Sequence, residues 1–143
     1  MKKFIQTAVL LCVVTAFAAV SALAVENKRV DAKIPFGFTI GEKSYPAGDY
    51  VLSIVKISSG TSQVTLEDAD GNALETFFAA TTGNVVKNGQ AARIVFNRYD
   101  EQVFLAQINT TEYALAISAS KVEKRIVKER KNVRRSTEVA IVK

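Results

Sequence analysis

Apolar and polar residues alternate along most of the chain, and the alternation comes in short runs separated by turn-forming residues. Val30-Asp31-Ala32-Lys33-Ile34-Pro35-Phe36 has the two-residue period of a half-buried strand. Pro35 cannot donate to a ladder and marks an edge position or a bulge. Phe36, Phe38 and Ile40 share one face, the expected core face. Gly41, Pro46 and Gly48 then punctuate a double turn, in which Tyr45-Pro46-Ala47-Gly48 fits a type I turn with Pro at its second and Gly at its fourth position. Tyr50 to Ile57 is apolar on both faces, as in a well-covered central strand.

The pattern continues in the same manner. Gln63 to Glu67 alternates with Val64 and Leu66 inward, and Asp68-Ala69-Asp70-Gly71-Asn72 is expected to close a hairpin onto Ala73 to Ala80. That returning strand carries Leu74, Thr76 and Phe78 on one face and Phe77 on the other. Thr81 to Gln90 is a polar connection, read either as a broad loop or as a short hairpin around Val85-Val86. Arg93 to Asn97 and Gln102 to Ile108 pair across Arg98-Tyr99-Asp100-Glu101, with Ile94, Phe96, Phe104, Ala106 and Ile108 expected inward. Tyr113 to Ile117 and Thr137 to Val142 complete the strands.

At Ser120 the period changes. Ser120-Lys121-Val122-Glu123 is a capping box, in which the Ser hydroxyl accepts from the third helical amide and Glu123 reaches back to the Ser120 amide. A helix over about residues 120–131 would place Val122, Ile126 and Val133 on a narrow stripe with Lys121, Lys124, Arg125, Lys128 and Lys131 beside it. The predicted fold is all-β, a small antiparallel β-barrel or sandwich of 7–8 strands with one C-terminal α-helix.

The first residues change the picture of where the chain works. Lys2 and Lys3, the apolar run Phe4 to Ala19 and the small-x-small Ala22-Leu23-Ala24 predict a signal peptide over residues 1–24, with a single β-rich domain over residues 25–143. Cleavage near Ala24 implies export to the periplasm or beyond, with no transmembrane segment in the mature chain. It would also discard Cys12, which follows Leu11 where a lipoprotein would need a small residue. The mature chain would then hold no Cys, and the whole sequence holds no His. Charge is segregated: residues 25–120 carry eight Lys and Arg against eleven Asp and Glu, whereas residues 121–143 carry nine basic and three acidic residues.

Three segments together resemble a family of small exported β-rich proteins of unknown function from soil bacteria. They are Phe36-x-Phe38-x-x-Gly41-x-Lys43-x-x-Pro46-Ala47-Gly48-x-Tyr50, Phe96-Asn97-Arg98-Tyr99 with Phe104-Leu105, and Ser120-Lys121-Val122-Glu123. The resemblance implies export and a compact β fold, and it carries over no activity and no catalytic residue. The family often has His where this chain has Asn97, Gly where it has Asp100, and an aromatic near Asn109.

The inventory of reactive groups is sparse. Without His or Cys in the mature chain, the usual hydrolytic triads and imidazole or thiolate metal sites have no members. Asp68/Asp70 and Asp100/Glu101 are the visible carboxylate pairs, and both fall in turns, where Asp is favoured for local hydrogen bonds. Asp68-x-Asp70-x-Asn72 echoes a calcium loop, but Ala73 and Ala79 stand where Gly and Glu are required. No catalytic, cofactor or metal residue is therefore assigned. Lys121, Lys124, Arg125, Lys128 and Lys131 form a possible anion-binding face, with anionic envelope lipid or polysaccharide favoured over nucleic acid, because no aromatic sits among them to stack a base. Tyr45 and Tyr99, placed in turns, are candidates for a binding rim. The expected function is a non-enzymatic binding or envelope-associated module; the alternatives are a carboxylate-dependent hydrolase and a structural subunit that assembles through exposed strands.

Overall fold

The computed structural model describes residues 26–83, 85–87, 90–129 and 135–142, the last segment mainly through its backbone pairing. The predicted signal peptide with Cys12, together with Lys131 and Val133, lies outside the described residues. The rest is sandwich-like and all-β: β1 (Asn27–Ile34), β2 (Phe38–Ile40), β3 (Lys43–Tyr45), β4 (Gly48–Lys56), β5 (Thr61–Asp68), β6 (Ala73–Thr81), β7 (Arg93–Tyr99), β8 (Gln102–Asn109), β9 (Ala114–Ala116) and β10 (Arg135–Val142), with one helix, α1 (Lys121–Glu129), between β9 and β10.

The strand order is β3-β2-β8-β7-β10-β1-β4-β5-β6-β9, and β9 also pairs with β8. Every ladder is antiparallel except β2–β8, which meets in parallel at Thr39 and Phe104. The short β9 ties β6 to β8 through Ala114 to Ala116. Beyond that seam no ladder joins β3 to β6 among the described residues, so the sheet is not closed along its length.

Ten strands are present where seven or eight were expected, and the reason lies in the Phe36–Tyr50 stretch. Pro35 interrupts the ladder after Ile34, and the chain restarts as a small hairpin, β2–β3, before β4. Its turn has Gly41 at φ 63° followed by Glu42 at negative φ, the arrangement of a two-residue type II′ turn that needs Gly first. The hairpin supplies an aromatic cluster at one mouth of the sandwich. Phe38 meets Tyr50 edge-on at 5.3 Å and Phe96 at 5.6 Å, and Phe36 meets Phe96 at 5.1 Å.

The core is built from the inward rows of the long strands, including Val30, Ile34, Leu52, Ile54, Val64, Leu66, Ile94 and Phe96. On β8 the expected parity is overturned. Phe96 pairs with Leu105 and Val95 with Gln107, so Ala106 is an inserted bulge residue; the main core cluster receives Val103, Leu105 and Ile108, while Phe104 and Ala106, buried as well, lie outside it. Phe104 falls on the opposite face, where it packs against Tyr99 at 6.1 Å. On β6 the inward row is Glu75, Phe77 and Ala79, which turns Leu74 and Phe78 to solvent. Of the Thr81–Gln90 connection, the described residues beyond Thr81 form no strand, and buried Val86 is tied by its amide to the Thr110 carbonyl at 3.0 Å.

Candidate functional site: a pinned basic helix and the cleft at its foot

Ser120 Oγ accepts from the Glu123 amide at 3.1 Å, which is the first half of the expected cap. The Glu123 carboxylate is turned inward. It is only 3% exposed, and its Oε1 accepts from Tyr99 Oη at 3.0 Å and from Asn97 Nδ2 at 2.9 Å. Asn97 and Tyr99 lie on the outward row of β7, so Glu123 fastens α1 onto the sheet with Val122 and Ile126 half-buried beside it. Two neutral donors on one buried carboxylate satisfy it where bare burial would be costly.

This anchor orients the basic face. Lys121, Lys124, Arg125 and Lys128 are all exposed, and of the two helix carboxylates only Glu129 shares the surface with them. Val127 stands among these cations, 52% exposed. Tyr99 is displaced from the expected rim: at 6% exposure, with its hydroxyl given to Glu123, it serves the interior. The sequence pattern assigns Glu123 to the cap, reaching back to the Ser120 amide, and carries no signal of its partners on β7.

Tyr45 remains at a surface crevice, half-buried against Phe38 at 5.5 Å. Its hydroxyl donates to Glu75 Oε2 at 3.1 Å, and the same oxygen meets Lys43 Nζ at 2.6 Å. Burial first, and then the Glu75 hydrogen bond, push the Tyr45 hydroxyl up to about 12. The Lys43 contact holds the Glu75 carboxyl below the usual carboxylate range, with partial burial opposing. On one side of this group lies a cleft of about 320 Å³ lined by Phe36, Phe38, Tyr45, Arg98 and Glu101, with Arg98 Cζ 5.9 Å from the centre of the Phe36 ring. On the other side lies a more apolar cleft of about 370 Å³ between the β2–β3 turn, β6 and the segment leading into α1. Ile40, Phe77, Phe78 and Ile117 line it, and Ser120 stands at its edge.

The carboxylate pairs stay in separate hairpins, with β4, β1 and β10 between β5 and β7 in the sheet. Asp68 Oδ1 accepts from the amides of Asp70 and Asn72, and Oδ2 accepts from Asn72 Nδ2. Those bonds, the Asn72 side chain's foremost, lower the Asp68 carboxyl and account for its presence in the turn. Among the described residues no group of three or more His, Cys, Asp or Glu could hold a metal ion. No helix of the described residues is long and apolar enough to cross a membrane.

No family model, curated protein or solved structure matches the chain. The functional reading therefore rests on the geometry alone.

Proposed function

We propose that the protein is an exported, non-enzymatic module that holds to an anionic surface of the cell envelope through the exposed face of α1. The observation that supports this reading is the inward turn of Glu123. It removes one carboxylate from the helix surface and leaves Lys121, Lys124, Arg125 and Lys128 facing solvent with Glu129 as their one exposed acidic neighbour in the described helix. Each cation close to an anionic surface contributes about 1 kcal/mol, so four of them suffice for reversible, salt-sensitive attachment. Exposed Val127 adds an apolar contact suited to a head-group boundary and of no use to a nucleic-acid backbone.

Both acidic lipids and acidic polysaccharides offer this chemistry, and co-sedimentation separates them. The expected result is binding to vesicles rich in phosphatidylglycerol, loss at high salt, and no binding to phosphatidylcholine vesicles; a soluble polyuronate that competes would identify sugar carboxylates as the ligand. A K124Q/R125Q/K128Q variant should weaken attachment by about a hundredfold, the equivalent of about 3 kcal/mol. Equal binding by variant and parent, or none by the parent to either anion, would end the reading.

A further inference from the structure

The ladder between β6 and β9 stops one pair short of the apolar cleft at the foot of α1. The Thr82 amide bonds to the Ala114 carbonyl at 2.7 Å, and Ala80 stands opposite Ala116. Hydrogen-bonded pairs of an antiparallel ladder recur every second residue, so Phe78 and Ser118 come next in that register. β9 ends at Ala116, however, and the Ile117 amide bonds to the Ala106 carbonyl on β8. The two backbones part, and both Phe78 and Ser118 line the cleft of about 370 Å³ that opens between them. Because the Thr81 amide bonds to Gly60 on the β5 side, the N–H and C=O of Phe78 face away from β5, with no backbone partner among the described residues.

Ile40, Phe77, Phe78 and Ile117 make the walls apolar, and the charges on the rim are balanced. Lys43 Nζ meets Glu75 Oε2 at 2.6 Å, and Glu42 is exposed. An anion would meet Glu42 and Glu75 there, and a cation would have to displace Lys43, so the cleft selects an uncharged guest. The Phe78 edge adds a second requirement. On a strand edge the N–H and C=O of one residue point the same way, and the single group that answers both is a cis-amide, whose own N–H and C=O lie side by side. A trans amide points them in opposite directions, and an open-chain secondary amide strongly disfavours the cis form. A lactam ring fixes it.

We propose that this cleft binds a small, uncharged lactam, its apolar body against Ile40, Phe77 and Ile117 and its cis-amide edge on the backbone of Phe78. The lactam N–H donates to the Phe78 carbonyl, and the lactam carbonyl accepts from the Phe78 amide. Burial of the apolar body supplies the affinity, and the paired edge supplies the selectivity, as in small-molecule sites generally. An analogue without the N–H leaves the Phe78 carbonyl unpaired against an apolar ring. β9 on Ala80 and the Lys43–Glu75 contact bound the cleft, so it admits a ring and not a further strand. None of the α1 cations takes part.

Amide and methyl NMR on the protein as purified from the cell, titrated with oxindole and with N-methyloxindole, tests the assignment. Oxindole should shift the Phe78 amide and the Ile40 and Ile117 methyl groups in one saturable step and slow hydrogen exchange at the Phe78 amide. N-methyloxindole is the more apolar of the two but has no donor, and it should bind at least about tenfold more weakly, the loss of one hydrogen bond. Ser118→Trp, at an exposed position, fills the cleft from its rim and should abolish the response to oxindole while the rest of the spectrum stays in place. Equal affinity for the two probes, a response that maps to another part of the sheet, no saturable response to oxindole, or undiminished binding by folded Ser118→Trp would overturn the proposal. Vesicle binding by α1 is read separately, so failure of either assignment leaves the other standing.

Discussion

At the scale of single residues, the Lys43–Glu75–Tyr45 group gives the clearest handle, because one carboxylate oxygen serves both partners. Tyr45 is neutral in both folded and unfolded chains below the ordinary tyrosine range, and there its contribution to stability is complete. Between about 10 and about 12 the unfolded chain gives up its proton while the folded one keeps it, so stability declines with rising pH in that window. Glu75 works in the other direction. Its contribution is present above the ordinary carboxylate range and is lost as pH falls through the lowered value. Glu75→Gln should bring Tyr45 part of the way back toward 10, and only part, because burial is the larger cause of its rise. The phenolate ultraviolet difference between parent and variant measures this against the other three tyrosines. An unchanged titration curve would mean that Glu75 does not act on Tyr45.

At the scale of elements, α1 depends on a single buried acid more than on its narrow stripe of Val122 and Ile126. Glu123→Ala would take the carboxylate acceptor away from the buried Tyr99 hydroxyl and the half-buried Asn97 amide, at a cost of about 2–4 kcal/mol. Glu123→Gln keeps an acceptor at the same place and should cost about 1 kcal/mol. Denaturant titration reads the order of the two, and hydrogen exchange in residues 121–129 shows whether the helix leaves the sheet first. Equal losses would point to packing around Glu123 as the anchor instead of its oxygens. The helix and its Ser120 cap were legible in the sequence because capping is local. The inward turn of Glu123 was not, since its partners lie 24 and 26 residues away on β7. The same distinction runs through the strands. Val64, Leu66, Ile94 and Phe96 follow from alternation, whereas the bulge at Ala106 inverts the parity of β8, and only its pairing with β7 reveals it.

At the scale of the whole molecule, the order of strands couples the basic segment to the fold. β10 lies between β7 and β1, pairing from Arg135↔Tyr99 to Ile141↔Arg93 on one side and at Ala32↔Val142 and Lys33↔Ile141 on the other. The most C-terminal of the described strands is therefore an interior strand of the sheet. Most of its partners are far away in the chain, so closing the fold means ordering long loops before the contacts that offset them exist. A chain ending at Ser120 would lose α1 and β10 together. It would expose the β7 edge over Arg93 to Tyr99 and leave Asn97 and Tyr99 without Glu123. Such a chain should lack a cooperative unfolding transition and should associate through its two new edges. Circular dichroism during thermal unfolding, with light scattering alongside, checks this. A cooperative, monomeric product would show that the β7–β10–β1 ladders are dispensable. The consequence for function is direct: removing the C-terminal segment cannot report on its charge, because loss of binding would follow from loss of the sheet. The exposed cations have to be changed one face at a time, as in K124Q/R125Q/K128Q, with Glu123 and β10 left in place to hold that face where it is.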